Sequence, residues 1–153
     1  MRVLLAWALL AAPALAQDVD TLTVDASVVE ACVADTPPGE LTPACIGAAS
    51  QQCQQEPGGD TTLGIVECVM GEHAAWDAVL NREYKAARAA FQDDPAADSL
   101  LAAQRAWISW RDAECAFQYD RYGGGSMRSI AAANCKMSMT AMRAWELKAL
   151  RGW

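Results

Sequence analysis

Apolar residues recur every three or four positions along most of the chain after residue 64. Trp76, Leu80, Tyr84, Ala87 and Phe91 share one helical face, which predicts a helix over 66–92. Pro95 ends that segment or opens the next. A second stripe holds Leu100 or Leu101, Gln104, Trp107 or Ile108, Arg111 and Cys115, predicting a helix over 98–121 capped by Asp98 or Ser99. Gly123, Gly124 and Gly125 break it, and Ser126 is placed to cap a third helix over 127–150. Its stripe is Ile130, Met137, Ala141, Ala144 and Trp145.

Before residue 64 the pattern changes. Five of the six prolines precede residue 58, and Pro37-Pro38-Gly39 and Pro57-Gly58-Gly59 are strong turn signals. Two short apolar-periodic pieces lie between them, at 26–34 and 43–55. For the second, Thr42 is placed as cap and Pro43 as first helical residue. No alternating β-branched run competes. The expected fold is all-α: a small antiparallel bundle of three long helices, preceded by a short-helix, disulfide-stapled N-terminal lead.

The first residues read as a targeting signal. Met1-Arg2 is a short positive region, Val3 to Leu15 is apolar, and Ala14-Leu15-Ala16 fits small-x-small cleavage. The apolar run falls short of the roughly 20 residues a span needs. The division expected is a signal peptide at 1–16, a cysteine-containing lead at 17–63 and a helical domain at 64–153. No membrane span is expected after cleavage, and the location is periplasmic or secreted. Losing Arg2 takes the formal charge from −7 to −8. So acidic a chain lacks the clustered Lys and Arg that nucleic acid requires.

Export gives the six cysteines their meaning, since an even number in an oxidising compartment points to disulfides. Paired short-spaced ligands for zinc are missing, so no metal is expected. The glycine turn folds the last two helices back on each other, which lets Cys115 face Cys135. Cys45 and Cys53 would lie about 12 Å apart on one helix, beyond the reach of a bridge, so they need different partners. Cys32–Cys45 with Cys53–Cys68 is preferred, and the crossed pairing Cys32–Cys53 with Cys45–Cys68 stays open.

Catalytic chemistry finds little support. His73 is the sole histidine and has no free thiol to activate. Gly123-Gly124-Gly125-Ser126 reads as a turn plus cap, not as a strand-to-helix nucleophile elbow. Most of the carboxylates at Glu67, Glu72, Asp77, Glu83, Asp112 and Glu114 read as solvated helix faces. No enzyme activity and no cofactor are expected. More informative is a polar set on the helix faces: Asp77, Asn81 and Tyr84 on the first long helix, Gln104, Trp107 and Arg111 on the second. An Arg on an apolar stripe needs a partner. Asp77 is the expected one, with Asn81 and Gln104 completing a structural network that fixes helix register.

These residues also carry a resemblance. Asp77 to Tyr84 is similar to a D-x-x-L-N-x-x-Y segment, and Ala103 to Cys115 to an A-Q-x-x-W-x-x-[YW]-R-D-x-x-C segment. Gly124-Gly125-Ser126, Cys135, Arg143 and Leu147 follow in the matching order. Together they resemble the lysozyme inhibitor LprI-like N-terminal domain family over about residues 64–150. The resemblance implies a helical, exported, cysteine-bridged protein that inhibits lysozyme by non-covalent binding. The lipoprotein cysteine of the name-giving member is missing here, and the lead of 17–63 is additional. No motif of the family marks lysozyme-contacting residues, so none is carried over. The exposed candidates for a partner loop are the turn of Gly123, Gly124, Gly125, Ser126 and Arg128, and the loop around Pro57–Thr62. The expected partner is a lysozyme or another basic envelope protein. The alternative is a periplasmic interaction module with another target, using the lead as its surface.

Overall fold

The computed structural model describes residues 21–150, and its regular elements are all α-helices. They are α1 (Ala26–Asp35), α2 (Ala48–Cys53), α3 (Thr62–Ala90), α4 (Ala96–Asp120) and α5 (Met127–Ala149). Two short helices thus precede three long ones, as the hydrophobic periodicity predicts. The expected signal peptide and the terminal Trp153 lie outside the described residues.

Local chemistry sets the helix starts. The Asp25 side chain accepts from the Ser27 N–H at 2.8 Å and caps α1. Thr61 does the same for α3 through the Gly64 N–H at 3.0 Å, so α3 begins four residues before its predicted start. Three expectations are corrected. Residues 43–47 form a turn, and α2 starts only at Ala48, because Gly47 takes a left-handed φ of 96° that no right-handed helix can pass through. α4 starts at Ala96, ahead of Asp98 and Ser99. Asp94 supplies its first cap by accepting from the Ala96 N–H at 2.7 Å, with Pro95 at the boundary. Ser126 occupies the N-cap position of α5, but its side chain makes no capping hydrogen bond. One close approach demands glycine: a Cβ at Gly64 would lie 2.0 Å from the Gly58 carbonyl oxygen.

The core crosses the boundary between lead and bundle. Val29, Cys32 and Val33 of α1 and Ala49 of α2 join Trp76 and Leu80 of α3 and Met137 and Leu147 of α5 in one buried cluster. α4 adds no member; its Leu100 and Trp107 are only partly buried against the cluster. α5 lies along α3 for much of its length and α4 leans on α5, while α3 and α4 scarcely touch. The connections reverse direction twice, so α3 and α5 run the same way with α4 antiparallel to both.

Three disulfides staple this arrangement. Cys32–Cys45 ties α1 to the turn before α2, with Cα atoms 5.8 Å apart. Cys53–Cys68 ties the end of α2 to α3 at 5.6 Å, so the crossed pairing is excluded. Cys115–Cys135 joins α4 to α5 at 5.5 Å. All three Cα separations suit a disulfide. No described cysteine is free.

Candidate functional site

Three regions hold the polar and exposed groups that a function could use. The first is the seam between α4 and α5. Arg111 lies in it, mostly covered, with its guanidinium on Asp112 at 2.9 Å and on the Thr140 hydroxyl at 3.4 Å. The Trp107 ring lies 5.2 Å from the same guanidinium. Gln104 is buried and accepts from Arg143 Nε at 2.9 Å, while Arg143 also reaches Glu146. Trp107 therefore sits between two arginines, since Arg143 lies 6.0 Å from its ring. This corrects the expected pairing. Asp77 accepts from Asn81 at 2.9 Å on its own helix, and Arg111 takes its partners from α4 and α5. The reason is geometric: α4 packs chiefly on α5 and scarcely touches α3, so Arg111 finds its nearest partners on its own helix and on α5. Tyr84 packs, partly buried, against the core.

His73 borders the same region. Its Nε2 is buried without a hydrogen-bond partner in the structure. Burial holds the imidazole below its ordinary 6.5, aided by the charges of Arg111 and Lys136 and opposed by those of Asp77 and Asp112. On acidification the unfolded chain binds this proton first. Stability therefore declines as pH falls through 6.5, and levels off once the folded imidazole is also protonated. His73→Gln is expected to flatten the fall of thermal midpoint between neutral pH and about pH 5. Equal slopes for both proteins would sink that expectation. The carboxyl of Glu30 lies outside this window, because its hydrogen bonds from Arg82 hold it below 4.5.

The second region joins the lead to α3. Glu72, read from sequence as one of the solvated carboxylates, is fully buried. It accepts from the Gly47 N–H and the Ser50 N–H, both at 2.7 Å, and from Trp76 Nε1 at 3.0 Å. Glu83 is buried too. The signal was present: Glu72 and Glu83 sit among Val69, Trp76, Val79, Leu80 and Ala87 at helical spacing. Further along, Arg82 binds both oxygens of Glu30 at 2.8 and 3.1 Å. Trp145 Nε1 donates to the Glu40 carbonyl at 2.6 Å, and the Lys148 ammonium donates to the Val33 carbonyl. A cleft of about 500 Å3 lies there, between Pro38, Glu40 and Leu41 on one side and Trp145 and Lys148 on the other.

The third region is the tip between α4 and α5. Residues Gly123 to Met127 are exposed. Arg128 stacks 4.7 Å from the Tyr119 ring and reaches the Gly123 carbonyl at 3.5 Å. Gly123 has φ 56°, a conformation favouring glycine. The other loop, Pro57–Thr62, is exposed at its edges but clamped: Gly59 is buried against the backbone of residues 53 and 54. Among the described residues no group of His, Cys, Asp and Glu is placed to hold a metal ion.

The fold and these regions define a small all-helical, disulfide-bridged protein in which Glu72, Arg82, Arg111, Arg143 and Trp145 tie one element to another. The chain belongs to the LprI family: the family described as "Lysozyme inhibitor LprI" matches residues 53–147. It is also 31% identical over 136 residues to "Uncharacterized protein R02472" of Rhizobium meliloti (strain 1021), covering 81% of this chain and 90% of that protein. No solved structure matches. Both motif segments, Asp77 to Tyr84 and Ala103 to Cys115, fall inside the matched range, whereas α1 and α2 up to Gln52 precede it.

Proposed function

We propose that the protein is exported to the periplasm or beyond the cell and inhibits a lysozyme by non-covalent binding, without catalysis of its own. The family match over residues 53–147 carries this reading. Three disulfides suit an oxidising compartment. No described helix is long and apolar enough to cross a membrane. The acidic chain would be steered toward a basic enzyme. The Gly123–Arg128 turn is the proposed inhibitory loop, since it projects at the end of the bundle and Arg128 holds it in shape. A preorganised loop loses less entropy on binding.

The test is cell-wall lysis by a panel of lysozymes, titrated with the purified, disulfide-bonded protein at low and moderate salt. Saturable inhibition that weakens with salt is expected. Arg128→Ala is expected to weaken it about tenfold, the scale of one good interface contact. Inhibition untouched by changes at Ser126 and Arg128 would exclude the turn. No inhibition at high micromolar protein would overturn the whole reading.

A second reading has one observation behind it. Residues 21–81 hold nine Asp and Glu and no Lys or Arg, and Leu41 stands 91% exposed beside the Trp145 cleft. In this reading the lead binds another basic envelope protein. Capture of such a protein that is lost in Leu41→Asp, with no lysozyme inhibited, would favour it.

A further inference from the structure

The outer side of α4 carries an unpartnered seam. Ala103, Ala106, Trp110, Ala113 and Phe117 follow spacings of three, four, three and four, the repeat by which one helix meshes with another. All five are exposed, Trp110 by 59% and Phe117 by 57%. The inner side of the helix, with Gln104 and Cys115, already faces α5. The seam therefore lies away from every contact that holds α4 in the monomer.

We infer that α4 is a self-association surface, on which a second copy of this chain docks its own α4 antiparallel across a two-fold axis near Trp110. Three observations select that occupant. The first is the order of sizes along the seam. Reversed about Trp110, it sets Phe117 against the partner copy's alanine at the 103 position and the inner alanines against each other, so each large ring meets a small residue or its own mate. A parallel pair would stack Phe on Phe and align the helix dipoles side by side. The second is charge. Residues 96–121 carry four acidic and three basic side chains, nearly balanced, whereas residues 21–81 carry nine acidic and none basic. Two copies repel through the lead but not through α4, and the lead packs on α3 and the end of α5. The third is size. A helix of 25 residues is about 37 Å long and about 11 Å wide, so half its lateral surface is about 600 Å2. The pair would bury about 1,200 Å2, the lower end of specific interfaces, which suits a reversible dimer.

Sedimentation equilibrium of the disulfide-bonded protein tests this without any lysozyme, so its outcome is independent of the inhibitor reading. Twice the monomer mass is expected at protein on the order of 100 µM, reversing to the monomer on dilution. Trp110→Glu and Ala106→Arg are both surface changes on an exposed helix side. Each is expected to weaken association at least tenfold while helix content by circular dichroism stays unchanged. Leu41→Glu, on the lead, is expected to leave association as it was. A monomer at all concentrations up to the millimolar range would overturn the inference. So would a dimer that survives both α4 changes, or one lost only in Leu41→Glu. Capture of a different protein through Trp110 by a strictly monomeric chain would also overturn it, assigning the seam to another occupant.

Discussion

Reduction of the three disulfides is expected to unfold the protein at physiological temperature. The bridges close loops of 13, 15 and 20 residues. Restricting the unfolded chain in this way contributes about 3 kcal/mol per loop, or about 9 kcal/mol for the three. A domain of this size has a net stability of about 5–15 kcal/mol, so the bridges account for most of it. The packing gives independent reason. Many buried positions hold alanine, among them Ala49, Ala87, Ala133, Ala141 and Ala144, and α4 places nothing in the buried cluster. Circular dichroism melts with and without a phosphine reductant check this. A cooperative melt within a few degrees of the oxidised protein would refute it. In the double variant Cys115→Ser with Cys135→Ser, α4 is expected to lose hydrogen-exchange protection before α3. Without the bridge, α4 is left with the Arg111, Gln104 and Trp107 contacts to α5 and the partly buried Leu100.

Glu72→Ala is the single substitution expected to cost most, about 4 kcal/mol. α2 has six residues and no side-chain cap of its own, too short to stand alone. The Glu72 carboxyl group takes over that role from another helix by accepting two of its backbone N–H groups, and it accepts the Trp76 indole as well. Truncation leaves three donors at a site that Glu72 filled at 0% exposure, each costing about 1–3 kcal/mol if unpaired, and opens a cavity. Glu72→Gln keeps one accepting oxygen and most of the volume, so about 1–2 kcal/mol is expected. Urea unfolding at constant m-value measures both. A loss under about 1 kcal/mol for the alanine variant would show that α2 is held by other means.

The elements that hydrophobic spacing marks out are long helices with one dominant face. Trp76, Leu80 and Ala87 define α3 as plainly in the letters as in the structure, because a period of three and four reports one-sided burial directly. The start of α2 was not legible in that way. Thr42 and Pro43 form a good local helix signal, yet Gly47 turns the chain and a residue 25 positions later supplies the cap. The two N-terminal bridges were open between two pairings in the sequence, and the seating of α1 and α2 on α3 decided between them.

The candidate site divides along the same line. The positions of Asp77, Asn81, Gln104, Trp107 and Arg111 on their helices follow from 3.6-residue periodicity, and the exposed turn of Gly123 to Met127 follows from its three glycines. Their partners do not. Periodicity says which side of a helix is apolar, but not what lies against it. An Arg on an apolar stripe suits Asp77 as a partner, but Arg111 binds Asp112 on its own helix and Thr140 on α5, because α5, not α3, lies along α4. By itself the sequence determined that three long helices follow two short ones and that the cysteines pair in the oxidised state. Only the tertiary structure decided that the lead shares the core and that Glu72 holds α2 to α3 through the Gly47 and Ser50 N–H groups. It alone left the aromatic side of α4 facing water. Those outcomes depend on contacts between residues far apart in the chain, which no local repeat encodes.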